Sequence, residues 1–182
     1  SMVDTTMYED STLVIPVYVS DVDNENITLT VHSSEEDHMS AYMEDESIYL
    51  NSYFNWNGTA IVTVVANDNM GRAIDVEEFQ LVVLAVNDAP QFGDLSALTA
   101  VGIDFSIPVS AYDIDMDSLI ISFVDDWNYP DWIMLESQPY VLSGNAPEEG
   151  DFVFPLSLSD GVVSISDTFH LNAQYFQPRI TS

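Results

Sequence analysis

The chain has 182 residues, of which 31 are acidic and only two basic, and it has no cysteine; its formal net charge is −29. Such a chain lacks the cationic groups that bind nucleic-acid phosphates or anionic membranes, which excludes both partners, and it cannot form disulfides. Because 47% of its residues are hydrophobic, it can still bury a core, so its acidity does not indicate disorder. The excess of carboxylates favours divalent cations, high-salt surroundings, or both.

Alternation of apolar and polar residues in the first half predicts strands rather than helices. The Asn57-Gly58 pair predicts a hairpin turn, because both residue types tolerate positive φ. Residues 34–46 show no clear alternation, and we expect a short helix or an irregular loop there. The predicted strands are 13–19, 27–31, 48–50, 60–66 and 76–84.

The second half repeats this pattern of short strands separated by turns, which is typical of a β-sandwich. Pro155 lies within one of these strands and has no N–H to donate, so we expect it at an edge or a bulge. The predicted strands are 105–107, 119–123, 140–142, 152–158 and 168–171.

The two halves are related by an internal repeat with a constant spacing of 92 residues. This repeat predicts two domains of ordinary small size, residues 1–88 and 89–182. The first copy contains Ile15-Pro16-Val17, Asp21-Val22-Asp23 and Asp68; the second contains Ile107-Pro108-Val109, Asp113-Ile114-Asp115 and Asp160.

The repeated aspartates are candidate calcium ligands. Calcium takes six to eight oxygen ligands, and an Asp-x-Asp at a strand end supplies two carboxylates that a late Asp and an oxygen-rich linker can complement. One predicted site therefore comprises Asn87, Asp88, Asp113, Asp115 and Asp160. A second comprises Asp21, Asp23 and Asp68, and its upstream linker would precede residue 1. The alternative for all of them is that strand-end aspartates only cap turns.

Several motifs resemble the cadherin family, and in particular the bacterial cadherin-like repeats of large secreted proteins. In the second half, three motifs are similar to the dystroglycan-type cadherin-like module: Trp132-Ile133-Met134-Leu135, residues 142–147 and Leu158-Ser159-Asp160-Gly161. The first half and the linker carry Glu9-Asp10, Asp21-Val22-Asp23, residues 55–60, Ala66-Asn67-Asp68 and Val86-Asn87-Asp88-Ala89-Pro90.

This resemblance implies an all-β chain of two tandem seven-stranded Greek-key sandwiches of the immunoglobulin and cadherin type. It implies calcium bound at the junction, with Glu9 and Asp10 as further ligands, and a location outside the cell or at its surface. Ala89 stands where the family has a linker Asn, so we expect fewer than three ions. The function implied is a calcium-rigidified spacer or adhesion module within a longer parent chain, whose flanking domains are partners.

An alternative function is a carbohydrate-binding accessory module of a multidomain extracellular enzyme. Trp127 and Tyr129 could stack on sugar rings, although ordinary packing over the end of the sandwich is the favoured interpretation of both. The further partner would then be a polysaccharide rather than another cell-surface protein. Paired carboxylates could also serve a glycosidase, but no motif fixes such a pair, and we expect no enzyme activity.

Overall fold

The chain folds into two compact units, Ser1–Val86 and Asn87–Ser182. The computed structural model describes residues 1–20, 22, 26–69 and 74–176. Within these residues the secondary structure consists of strands and turns. No helix in the described part of the chain is long and apolar enough to cross a membrane.

The first unit is a sandwich of two sheets. The four-stranded sheet has the order β1-β7-β6-β3, and the three-stranded sheet has the order β2-β5-β4. β1 runs parallel to β7, with Thr5 opposite Leu81 and Tyr8 opposite Leu84. The strands are β1 (Thr5–Tyr8), β2 (Thr12–Pro16), β3 (Thr28–Ser33), β4 (Met39–Glu44), β5 (Ser47–Ser52), β6 (Gly58–Asn67) and β7 (Ile74–Leu84).

Alternate residues of these strands point between the sheets and form the core of the first unit. Ile48 and Leu50 of β5 are fully buried, as is Val62 of β6. Val and Ile favour this pleated, half-buried environment. The opposite face of β6 is mixed: Thr59 and Thr63 are polar, whereas Ile61 is an apolar residue that is 40% exposed.

The second unit has the same two sheets and one additional pair of short strands. The sheet orders are β12-β15-β16-β9 and β10-β14-β13, and β8 pairs with β11. β9 runs parallel to the last strand, β16, as β1 does to β7. The strands are β8 (Gln91–Phe92), β9 (Ser96–Ala100), β10 (Asp104–Pro108), β11 (Ala111–Tyr112), β12 (Ile120–Phe123), β13 (Ile133–Glu136), β14 (Val141–Asn145), β15 (Gly150–Ser159) and β16 (Ser164–Gln174).

The predicted fold class is therefore confirmed. Among the described residues each unit places seven strands in two sheets. In the first unit the chain crosses from one sheet to the other after β1, β2, β3 and β5. The second unit has its own core, in which Leu142, Leu156 and Leu158 are fully buried.

Two local predictions were wrong. Residues 39–44, expected in a helix or loop, form strand β4, which pairs with β5 from Met39 opposite Ser52 to Glu44 opposite Ser47. Pro155 lies in β15, an inner strand of its sheet, and not at an edge. β12 ends opposite Leu156, so Pro155 lies just past the last residue pair on that side and no ladder bond is lost.

Candidate functional site

The loop after β11 is organised by the carboxylate of Asp113. Its Oδ1 atom accepts hydrogen bonds from the backbone N–H groups of Asp115 (2.8 Å) and Asp117 (3.4 Å). Its Oδ2 atom is shielded from solvent and has no hydrogen-bond partner among the described residues. A shielded carboxylate oxygen without a partner is costly, because the group has lost its hydration without replacement.

The first two residues of the second unit bind to the aspartates of the same unit. The backbone N–H of Asp88 donates to Oδ2 of Asp115 at 2.7 Å. The side-chain amide of Asn87 donates to Oδ2 of Asp160 and to the carbonyl of Asp88, both at 2.9 Å. Because the amide nitrogen of Asn87 is used in these two bonds, its carbonyl oxygen is left to act as an acceptor.

Asp160 is buried at the turn between β15 and β16, with 8% of its surface exposed. Its Oδ1 atom accepts the backbone N–H groups of Val162 and Val163, each at 2.6 Å. Gly161 lies in the turn with φ of 96°, a conformation that suits glycine. The hydrogen bond from Asn87, followed by that from Val163, holds the pKa of Asp160 below its ordinary value, although burial opposes this shift.

The structure thus connects all five residues of the predicted second-unit site through hydrogen bonds. Asp113, Asp115 and Asp117 also place carboxylate oxygens within 4.8 Å of one another. Hard carboxylate and amide oxygens, one of them buried and unpartnered, are the ligand types that calcium prefers. Sequence reasoning missed Asp117, although the Asp-x-Asp-x-Asp spacing was visible.

The predicted ligands of the first unit form hydrogen bonds within that unit. Glu9 is buried, with 3% exposed; its Oε1 accepts the backbone N–H of Val86 at 2.6 Å, and its Oε2 accepts the side-chain amide of Asn57 at 3.4 Å. Asp10 accepts the backbone N–H of Asn55 at 2.9 Å. Both carboxylates therefore already have partners within their own unit.

The other predicted site of the first unit is only partly described. Asp68 is half-buried and follows directly after β6, as Asp160 follows β15. Asp21 and Asp23 lie outside the described residues.

The two candidate sugar-stacking residues differ from each other. Trp127 is 48% exposed. The ring of Tyr129 stacks on Phe123 with centroids 4.1 Å apart. Its hydroxyl accepts the N–H of Val124 at 2.9 Å and donates to the carbonyl of Pro155. Burial, together with the charge of Asp125, raises the pKa of this hydroxyl against the opposing effect of the Val124 N–H. Tyr129 thus contributes to the end of β12, and only Trp127 offers an exposed ring.

No protein-family model and no curated protein sequence matches the chain. Solved structures do match it. A crystal structure of human protocadherin-24 EC1-2 aligns with a TM-score of 0.57 and 16% identity, covering 96% of both chains. The human desmocollin-1 ectodomain aligns with a TM-score of 0.53 and 12% identity, covering 96% of this chain and 39% of that one.

A third match is an endo-fucoidan hydrolase of glycoside hydrolase family 107, with a TM-score of 0.39 and 18% identity. This chain spans only 28% of the length of that enzyme, and a likeness so low carries no argument about function. The two cadherin ectodomains show that the chain has a cadherin-like fold.

Proposed function

We propose that the chain is a calcium-binding pair of cadherin-like domains that acts as a spacer or adhesion module of an extracellular protein. The observation that carries this proposal is the shielded, unpartnered Oδ2 of Asp113, surrounded by further carboxylates in a unit with almost no basic residues. Arg179 is the only Lys or Arg in residues 87–182, and it lies outside the described residues. The charge of these aspartates therefore calls for an external cation.

The residues that would hold calcium are Asp113, Asp115, the carboxylate of Asp88 and the side-chain carbonyl of Asn87. The ion would supply positive charge that offsets the repulsion between the carboxylates. Asp160 holds the amide of Asn87 and so orients that side chain. Because Asn87 directly follows Val86, the last residue of the first unit, an ion bound here also restrains the backbone that connects the two units.

This role suits a location outside the cell or at its surface. Extracellular calcium modules bind with dissociation constants of about 10⁻⁴ to 10⁻³ M, which extracellular calcium can fill. In this proposal the chain has flanking domains of a longer parent as neighbours and another cell-surface protein as a further partner. No catalytic role is proposed for it.

The test is calcium calorimetry together with small-angle scattering in chelator and in millimolar calcium. Wild type should release or absorb heat, and its maximum dimension should become better defined with calcium. The double variant Asp113→Ala/Asp115→Ala should lose both responses. The matched control is Glu148→Ala/Glu149→Ala, which removes the same charge. These two residues precede β15, whose ten residues span about 33 Å and end at the site, so the control lies far from the proposed ion. Wild type that shows no calcium heat would refute the proposal.

A second candidate function is carbohydrate binding, which the exposed ring of Trp127 favours. An indole face complements the apolar face of a sugar ring. Affinity electrophoresis against a panel of polysaccharides would test it. Retardation that disappears in Trp127→Ala but persists in Tyr129→Phe would support binding at Trp127, and unretarded wild type on every polysaccharide would contradict it.

A further inference from the structure

The outer face of the three-stranded sheet in the first unit carries a row of apolar side chains that crosses all three strands. Val14 of β2 lies opposite Tyr49 of β5, and Tyr49 lies opposite Tyr42 of β4. The two tyrosine rings stack with their centroids 5.3 Å apart and their planes inclined by 11°. Val14 is 44% exposed and Tyr42 is 43% exposed, so both ends of the row are open to solvent.

The ring of Tyr42 lies at the edge of this sheet. β4 is the last strand in the order β2-β5-β4. Tyr49 therefore covers one face of the Tyr42 ring, whereas no described strand covers the other face. The stack orients the ring before any ligand arrives, and such preorganisation lowers the entropy lost on binding.

Polar side chains lie beside the apolar row on the same face of the sheet. The hydroxyl of Thr12 donates to Oδ1 of Asn51 at 2.5 Å, and the side-chain amide of Asn51 donates to the hydroxyl oxygen of Ser40 at 3.2 Å. Ser40 and Glu44 stand two residues before and after Tyr42, about 6.6 Å away along the strand on either side. The hydroxyl proton of Ser40 and the carboxylate of Glu44, an exposed residue, can thus donate to and accept from a ligand that lies on the ring.

The second unit shows that this sandwich forms without such a row. The equivalent positions in its three-stranded sheet are Ser106 of β10, Ser143 of β14 and Met134 of β13, which lie opposite one another in the same register. Ser106 follows Val14 by 92 residues, the spacing of the internal repeat. The fold therefore does not require the tyrosine pair, which is free to serve a ligand.

Charge determines which kind of ligand suits this face. The apolar row and the bonded row of Thr12, Asn51 and Ser40 are uncharged, whereas the whole chain has a net charge of −29 and only two basic residues. A second copy of the chain and an anionic polysaccharide would both be repelled by this charge. A neutral sugar chain would not be repelled. Its rings have apolar faces that stack on an aromatic ring, and its hydroxyls pair with hydroxyl, amide and carboxylate groups.

We propose that this face of the first unit, centred on Tyr42, binds a neutral polysaccharide. One sugar ring stacks on the open face of Tyr42, and its hydroxyls form hydrogen bonds with Ser40 and Glu44. The site is separate from Trp127, which belongs to the second unit. It also does not depend on the calcium binding proposed above.

The experiment is affinity electrophoresis of the full chain in chelator, with the neutral polysaccharides hydroxyethyl cellulose, glucomannan and xyloglucan and with the anionic polysaccharide alginate. Wild type should be retarded by at least one neutral polysaccharide and not by alginate. Tyr42→Ala should raise the dissociation constant by about tenfold, because the stacking surface is lost. Tyr42→Phe keeps the ring and should retain most of the affinity.

Two further variants make the test specific. Met134→Ala is the matched control, because Met134 is 59% exposed and occupies the position in the second unit that Tyr42 occupies in the first. It should bind as wild type does. Glu44→Ala should weaken binding through loss of an acceptor beside the ring. Urea unfolding of each variant establishes that the proteins are folded under the conditions of the assay.

The proposal is overturned if no neutral polysaccharide retards wild type, or if Tyr42→Ala is retarded as strongly as wild type. Retardation that is lost in Trp127→Ala and kept in Tyr42→Ala would place sugar binding in the second unit instead. If wild type binds no sugar but dimerises in sedimentation, and Tyr42→Ala does not dimerise, the face is a contact between copies and the proposal also fails. Because the assay contains chelator, none of these outcomes depends on whether the chain binds calcium.

Discussion

The side-chain amide of Asn87 donates a hydrogen bond to the carboxylate of Asp160, 2.9 Å away and 73 residues later in the chain. This bond attaches the first residue of the second unit to the turn between its last two strands. The same carboxylate accepts two backbone N–H groups of that turn. Asp160 therefore organises the site even without a metal.

Replacing Asp160 with Asn should lower the stability of the second unit in a pH-dependent way. The folded pKa of Asp160 is depressed, chiefly by the Asn87 amide. Its stabilising effect is therefore present above the ordinary Asp pKa of about 3.9 and is lost as the pH falls through the folded value. Urea unfolding in chelator from pH 7 to pH 3 should show a gap between wild type and Asp160→Asn that narrows below about pH 4. The prediction is contradicted if the difference in the free energy of unfolding between wild type and Asp160→Asn does not change with pH. It is also contradicted if the exposed control Glu149→Gln shows the same pH-dependent difference from wild type.

Tyr129→Phe should destabilise the second unit by about 0.5–1.5 kcal/mol, because the hydroxyl bonds of Tyr129 at the end of β12 are lost. The hydroxyl must stay protonated to donate to Pro155, and its pKa is raised in the folded state. This contribution is present below about pH 10 and is lost as the pH rises through the folded pKa. Both the loss of stability and its pH dependence can be checked by unfolding wild type, Tyr129→Phe and the exposed control Tyr175→Phe at pH 8 and pH 11. A control as destabilised as Tyr129→Phe would argue against this role.

Glu9→Ala should destabilise the first unit by about 1–3 kcal/mol, because the backbone N–H of Val86 loses a charged acceptor at 2.6 Å. The matched control is Glu36→Ala. Glu36 is 75% exposed and its contact with His32 is 3.9 Å long, so that substitution should change stability by less than about 0.5 kcal/mol. Urea unfolding at neutral pH in chelator distinguishes the two. Equal effects would mean that the buried carboxylate is not needed to hold Val86.

Gly144→Ala should be strongly destabilising. A Cβ atom at this position in β14 would lie 2.2 Å from the backbone carbonyl oxygen of Trp132 and 3.2 Å from the ring of Phe105. The backbone contact cannot be relieved by a rotamer change, so we expect a loss of about 1–3 kcal/mol or more. Gly150→Ala is the control, because the nearest atom to its Cβ would be 3.7 Å away. Thermal unfolding should show a marked drop in Tm for Gly144→Ala alone.

The spacing of 92 residues in the sequence corresponds to equivalent strands. β2 covers 12–16 and β10 covers 104–108, while β6 covers 58–67 and β15 covers 150–159, so each number in the second unit is 92 higher. After these strands the spacing becomes 90: buried Phe79, Leu81 and Val83 correspond to Phe169, Leu171 and Ala173. A change of two residues keeps the inward and outward faces of the last strand unchanged, because the side-chain period of a strand is two.

Other parts of the fold carried a weaker sequence signal. β4 places Met39, Ala41 and Met43 toward the core and has no β-branched residue, so strand propensity gave little indication of it. β1 and β9 are short and were not predicted, because their partners are the last strands of their units, more than 60 residues away. Pairing over such distances depends on tertiary structure rather than local pattern. The sequence spacing predicted that Asn87 and Asp160 belong to one site. It did not lead us to include Asp117 in that site.

The parallel pairing of β1 with β7, and of β9 with β16, has a mechanical consequence. Each pair joins the first strand of a main sheet to the last strand of the same unit. Tension along the chain would pull the two parallel strands of a pair in opposite directions along their axes. The load would then act as shear on all of their hydrogen bonds together, from Thr5 opposite Leu81 to Tyr8 opposite Leu84 in the first unit. A unit loaded in this way should resist unfolding more strongly than one whose hydrogen bonds could break one at a time.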